Sequence, residues 1–331
     1  MASSHFGLRD APSSRSTVAP PSKDVQDILQ GLTAAPKTLP ARFFYDDAGC
    51  ALFGRITKLP EYYVTRAETA LLAEHAAVIV ANTAPASVLV EYGASDENKA
   101  AMLLDAVPQQ LAAYVPIDIA GPPLQALRER MRISHPHLTV QPLCADFTAP
   151  VALPPLPSGS SRLGFFPGST IGNFDPPMVV SFLRRARADL SRGGTAAAQF
   201  IIGTDLRKDA SELVPAYDDN AGVTAAFNRN ILRHVNRLAA GRFDPELFAH
   251  RAIWNEQAGR IEMHLASRLP QVIQVAGRTI AFAAGETIHT ESSYKHTRQG
   301  FLALAAQAGW RSDGFWTDSQ GRFGMHRLIA D

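Results

Sequence analysis

Between about residues 68 and 206, apolar runs alternate with stretches of helical periodicity. A helical stretch from Ala67 to Ala81 precedes the run Ser87-Val88-Leu89-Val90-Glu91. After Gly93 the pattern predicts a helix from about Glu97 to Val107, a strand from Tyr114 to Ile119, a helix over 122–133 and a strand from Leu138 to Cys144. The run Leu163-Gly164-Phe165-Phe166 ends in a Gly-rich turn, and Asp175-Pro176-Pro177 opens a helix that runs to Leu190. Asp175 suits the N-cap because its carboxylate can accept a free first-turn N–H, and Pro176 suits the first turn, where no N–H is needed. Arg192-Gly193-Gly194 stops that helix, and Ala197 to Asp205 reads as a continuous apolar strand. Strands alternating with helices predict a parallel sheet covered on both faces.

From about 207 to 290 the pattern changes. Helical segments at 211–216 and 221–240 lead into an amphipathic strand pair over 250–268 and a further β stretch over 271–284. From 292 onward there is one more helix and a final hairpin turning at Ser319-Gln320-Gly321-Arg322. The Pro-rich segment from Ala149 to Ser160 is a loop. A helix-covered α/β sheet with a late antiparallel hairpin is the shape of a class I methyltransferase, and the changed middle reads as a second, inserted domain.

Composition narrows the function classes. The 331 residues are 46% hydrophobic and 19% charged, which is globular rather than disordered. Lys plus Arg number 32 against 31 Asp plus Glu, so no net field draws the chain to nucleic acid or to an acidic membrane. No apolar run approaches the roughly 18 residues of a membrane span. The first 22 residues lack the apolar core of a secretory signal and read as a flexible N-terminus. Cys50 and Cys144 match no zinc spacing, and no metal is expected. A cytoplasmic monomer acting on a small molecule is the resulting expectation.

Three strand ends carry chemistry. Ligands of open α/β sheets bind beyond the carboxyl ends of the strands. Gly93, in Glu91-Tyr92-Gly93-Ala94-Ser95-Asp96, permits a sharp turn and close approach of a ligand. Asp118 ends the next strand, where a carboxylate can accept both hydroxyls of a ribose. Asp146-Phe147 follows the third strand and suits an adenine, one residue accepting from the amino group and the other packing on the ring. The three together point to an adenosyl cofactor. Only one glycine of a dinucleotide fingerprint is present, which favours a cofactor without phosphates.

The chain resembles the histidine Nα-methyltransferases of ergothioneine biosynthesis from about Leu39 to Leu328. The matching blocks include Phe43-Phe44-Tyr45-Asp46, Leu59-Pro60-Glu61-Tyr62-Tyr63-Val64-Thr65-Arg66 and Tyr114-Val115-Pro116-Ile117-Asp118. They continue through Gly168-Ser169-Thr170-Ile171-Gly172-Asn173, Gly203-Thr204-Asp205-Leu206, Ala216-Tyr217-Asp218-Asp219, Ile261-Glu262-Met263 and Glu291-Ser292-Ser293-Tyr294-Lys295. The resemblance implies a class I (Rossmann-like) methyltransferase domain that binds S-adenosylmethionine, over 68–206 and 292–331. It implies an inserted α+β substrate-binding domain over 23–67 and 207–291.

The resemblance also implies roles. Gly93, Lys99, Asp118 and Asp146, with Phe147 beside them, would hold S-adenosylmethionine, Lys99 meeting the methionine carboxylate. Ser95 stands where the family usually has a second glycine. Tyr62, Asn173, Tyr217, Met263, Glu291 and Ser293 would hold L-histidine: Asn173 and Tyr217 at the carboxylate, Tyr62 at the amine, Glu291 and Ser293 at the two ring nitrogens and Met263 against the ring. Tyr62 and Asn173 are the catalytic candidates, as positioners of the amine lone pair. Tyr63 is an alternative to Tyr62. Read without the family, Asn173 could cap the helix that follows it, Tyr217 could be core, and Glu291 could be a surface charge. The implied product is trimethylated histidine, hercynine, with another amino acid such as tryptophan, or an inactive ligand-binding relative, as the alternatives.

Overall fold

The computed structural model describes residues 21–331 except Ser95, Gln109, Pro157 and Ser158. The expectation for Ser95, and nearly all of that for the N-terminus, therefore lies outside the described residues. Of the larger sheet, the central strand Ser87–Tyr92 is buried at all six positions. Such a strand has no polar face and must be covered on both sides. It pairs in parallel with Leu111–Asp118 on one side and Arg162–Phe166 on the other. Beyond Arg162–Phe166 lies Gln199–Asp205, also parallel. Beyond that, Phe323–Ala330 and Trp310–Thr317 run antiparallel as the final hairpin. On the far edge the expected strand Leu138–Cys144 is two short pieces, Thr139–Val140 and Leu143–Cys144, each paired to Leu111–Asp118. The gap falls at Gln141-Pro142, since proline has no N–H for the ladder. The chain order reverses between Ser87–Tyr92 and Arg162–Phe166. This is the α/β class I methyltransferase fold.

Helices cover both faces. Pro176–Ser191 begins as expected: the Asp175 side chain accepts from Met178 N at 2.9 Å. It packs with Arg298–Gln307, and Trp310 donates its indole N–H to Leu183 O at 2.9 Å. On the other face lie Tyr63–Val80 and Asn98–Ala106.

The middle of the chain forms a second sheet, in the order Lys37–Thr38, Thr287–Tyr294, Arg260–Ser267, Phe248–Asn255. The helix Val223–Leu238 lies on its buried face. A separate hairpin pairs Gln271–Val275 with Arg278–Phe282. The helical expectation at 211–216 shrinks to Ala210–Leu213. The boundaries expected at 67/68 and 291/292 fall inside elements. The first lies within the helix Tyr63–Val80, and the second within Thr287–Tyr294, which stays paired to Arg260–Ser267 up to Tyr294.

One irregularity sets the inner face of this sheet. His289 sits opposite His264 and Glu291 opposite Met263, so Thr290 is an extra residue. A bulge of this kind flips the strand's alternation beyond it. Glu291 and Ser293 consequently share the face of Met263 and Ile261, whereas His289 lies on the opposite face with His264. The Thr290 hydroxyl is held inside, donating to Asn228 Oδ1 at 2.8 Å and Met263 O at 3.0 Å.

Candidate active site

The carboxyl ends of the parallel strands meet the bulged strand. Asp205 N–H donates to Ser169 Oγ at 2.8 Å, and His296 N–H donates to Asp205 O at 3.0 Å. Gly172 approaches so closely that a Cβ there would lie 2.7 Å from Tyr294 O. That contact lets the turn Thr170–Asn173 rest on the strand Thr287–Tyr294 and brings Asn173 Nδ2 to 3.5 Å from Glu291 Oε1. Asn173 is thus not the cap of the following helix; Asp175 is. Nor is Glu291 a surface charge: burial pushes its carboxyl up to about 7, against the pull of the Lys295 ammonium.

Tyr217 and Ser293 are joined. Their hydroxyl oxygens are 2.9 Å apart, and Lys295 Nζ donates to both, at 2.7 Å and 2.9 Å. Lys295 is fully buried and ion-paired with Asp205 Oδ2 at 2.8 Å. Burial raises the Asp205 carboxyl, but Lys295 and Lys208 outweigh it and hold it below the usual range. Tyr63 donates to Asp205 at 2.9 Å, so its hydroxyl is committed to this network. The Tyr62 hydroxyl has no hydrogen bond to the described residues. Its ring stands edge-on to Tyr217 with centroids 6.3 Å apart. Burial first, then Tyr217, Asp205 and Glu291, raises the Tyr62 phenol well above its ordinary value. Met263 is buried at the position opposite Glu291.

The residues expected to hold the adenosyl group stand at the adjacent strand ends. Gly93 has φ +75°, and a Cβ there would lie 3.5 Å from the Phe147 ring. Phe147 packs edge-on to Phe166, with centroids 5.5 Å apart. Asp118 accepts from Ala120 N through Oδ1 at 2.9 Å, and burial raises its carboxyl despite that bond. Asp146 spends Oδ1 on Thr148, at 2.8 Å to N and 2.6 Å to Oγ1. Neither Oδ2 takes part in these turn bonds, and two such acceptors fit the hydroxyls of a ribose and an exocyclic amine. Lys99, expected at the methionine carboxylate, already has an internal partner: its Nζ is 2.5 Å from Glu68 Oε2. Glu68 is fully buried and also accepts from Gly168 N at 2.8 Å. A ligand carboxylate at Lys99 would share that ammonium with Glu68.

Several residues of this assembly escaped the sequence reading. Asp205, Lys295 and Tyr45 lie in motif blocks, but nothing local assigns them a task. The Tyr45 phenol is raised by burial first and then by Glu291, Tyr62, Cys50 and Asp118. Glu68 gives no signal at all, being one charge in an otherwise apolar helical face. Glu91 accepts from the Tyr114 hydroxyl, and burial lifts its carboxyl to about 8.

The chain matches the family model described as histidine-specific methyltransferase, SAM-dependent, over residues 24–330. It is 42% identical to the histidine N-alpha-methyltransferase of Mycolicibacterium smegmatis over 308 residues, covering 92% of this chain and 94% of that one. To the enzyme of the same name from Mycobacterium tuberculosis it is 41% identical, covering 91% and 92%. A 4-dimethylallyltryptophan N-methyltransferase of Claviceps purpurea is 25% identical, covering 88% and 91%. With its fold and these relatives, the chain belongs to the family of histidine-specific, S-adenosylmethionine-dependent methyltransferases.

Proposed function

We propose that the protein transfers three methyl groups in succession to the α-amino nitrogen of L-histidine, forming hercynine. The observation that carries this reading is the half-buried Glu291 carboxylate, two residues from Ser293 on the same strand face and opposite Met263. A carboxylate and a hydroxyl at that spacing match the two nitrogens of an imidazole, and Met263 makes a soft apolar wall. The segments 23–67 and 207–291 act as the substrate-binding part. The protein works as a cytoplasmic monomer on a free amino acid.

In this reading Gly93, Asp118, Asp146, Phe147 and Lys99 hold S-adenosylmethionine, which supplies an electrophilic methyl group. Tyr217 and Asn173 donate to the histidine carboxylate. Tyr62, with its uncommitted hydroxyl, and Asn173 orient the amine. The gain is chiefly one of alignment, which is worth several powers of ten when reacting atoms are held in line. No strong general base is demanded, because a nearby cation already disfavours the ammonium form of the amine.

The test is to incubate the protein with S-adenosylmethionine and each of the twenty amino acids and to weigh the products. Mono-, di- and trimethylhistidine are expected. Faster turnover of tryptophan or tyrosine at equal concentration would overturn the assignment. Tryptophan is the alternative because the Claviceps purpurea relative is a 4-dimethylallyltryptophan N-methyltransferase. A larger indole would require Met263 and Glu291 to be replaced or displaced.

A further inference from the structure

The sheet that presents Glu291 inward carries a different set of groups on its other face. Glu262 and His264 are two apart on Arg260–Ser267, and His289 stands directly opposite His264 on the neighbouring strand. The two imidazoles are stacked, with centroids 4.9 Å apart and planes inclined by 27°. One potential ligand atom from each of the three side chains lies within 4.8 Å of the other two. Glu262 Oε2 and His264 Nε2 are 3.1 Å apart. Two ligands of one tetrahedral zinc ion, each about 2.0–2.1 Å from the metal, are separated by about 3.3 Å.

The surroundings suit ligation. The Glu262 and His264 side chains are only 14% and 13% exposed. His289 Nε2 is 2.9 Å from Glu291 O and 3.1 Å from Ser292 Oγ. A carbonyl oxygen only accepts, so Nε2 carries the proton and the lone pair resides on Nδ1. A ring anchored to a backbone carbonyl in this way is the usual second support of a metal-binding histidine. The Glu262 carboxylate is ionised, with its other oxygen held by Arg260 Nε at 2.8 Å and Asn255 Nδ2 at 2.9 Å. Burial above all holds the His289 imidazole below its ordinary value, which favours the neutral ring.

We propose that Glu262, His264 and His289 form a binding site for a zinc-like divalent cation on the outer face of this sheet, separate from the methyl-transfer site. Two imidazoles and one carboxylate select a borderline ion over magnesium or calcium, which require mostly oxygen ligands. The guanidinium of Arg260 beside Glu262 weakens the attraction for a dication. Because His289 holds the Glu291 carbonyl, an ion here is one hydrogen bond from the backbone of the imidazole-recognition residue.

The experiment is a calorimetric titration of the chelator-treated full chain with zinc chloride and, separately, magnesium chloride. One saturable zinc site per chain and no magnesium site are expected. His264→Ala and His289→Ala should each weaken it about tenfold or more, whereas His135→Ala, far from the cluster, should not. A zinc site that survives both variants, or no one-to-one site, overturns the proposal. A readout independent of any variant is the visible spectrum with cobalt chloride. An intense four-coordinate band is expected from the unmodified protein, and its absence also overturns the proposal.

Discussion

The ammonium nitrogen of Lys295 lies 2.7 Å from the hydroxyl oxygen of Tyr217, deep between the two sheets. An ammonium has three protons, and here each has an acceptor: Tyr217, Ser293 Oγ at 2.9 Å and Asp205 Oδ2 at 2.8 Å. Both hydroxyl oxygens therefore act as acceptors toward Lys295. Since they also share a proton across 2.9 Å, one of their two O–H groups is spent internally and one is left to donate outward. The pair thus presents a single donor until a ligand separates the two.

Removing that ammonium leaves Asp205 with Lys208 and Tyr63 as its remaining partners. Breaking a buried ion pair from one side costs about 3–5 kcal/mol. Lys295→Met should therefore destabilise the protein by roughly 3 kcal/mol, and adding Asp205→Asn should return part of the loss by removing the stranded charge. Urea unfolding of the two single variants and the double variant measures this. Simply additive losses would show that the pair is uncoupled.

Glu291 carries a pH signature. Burial raises its carboxyl to about 7 in the folded chain, above the ordinary 4.5. A group raised in this way contributes stability fully present below about pH 4.5, and that contribution is lost as pH rises through 7. The loss is on the order of 3 kcal/mol. Glu291→Gln cannot ionise, so above pH 7 the ligand-free variant should be the more stable of the two, while its KM for histidine is raised. Melting curves from pH 5 to 8.5 test this, and parallel curves would place the Glu291 carboxylate in solvent.

Asp118→Ala should weaken binding of S-adenosylhomocysteine by about 1.5–3 kcal/mol, the worth of hydrogen bonds to a charged group. Calorimetric titration of the variant measures it directly. Unchanged affinity would remove Asp118 from the cofactor site.

That the residues proposed for the adenosyl group lie on one edge was legible from the chain alone. In a parallel sheet the carboxyl ends of consecutive strands lie on one edge, so Gly93, Asp118 and Asp146 are brought together by connectivity as soon as the strands are recognised. The cap at Asp175 and the turn before Phe323 are local as well, since each depends on residues within a few positions. The broken edge strand is a milder case: Pro142 was visible, but only the pairing of both halves with Leu111–Asp118 shows the ladder resuming beyond it.

What the sequence by itself determined, then, is the alternation of strands and helices, the acidic strand ends and, through its motif blocks, the family. The tertiary structure alone decided which way the candidate substrate residues face and what they touch. Glu291 and His289 are two apart and in an unbroken strand would share a face; the Thr290 bulge puts one in the candidate active site and the other on the opposite side. The resemblance puts Lys99 at a ligand carboxylate, and only the packing shows that it also pairs with Glu68 across the helix interface. Tyr217, Ser293, Lys295 and Asp205 come from separate segments and meet only when the two sheets close. Periodicity reports the average environment of a position. A bulge, a buried ion pair and a shared proton are single events between distant residues, and they follow from packing rather than from any local run of sequence.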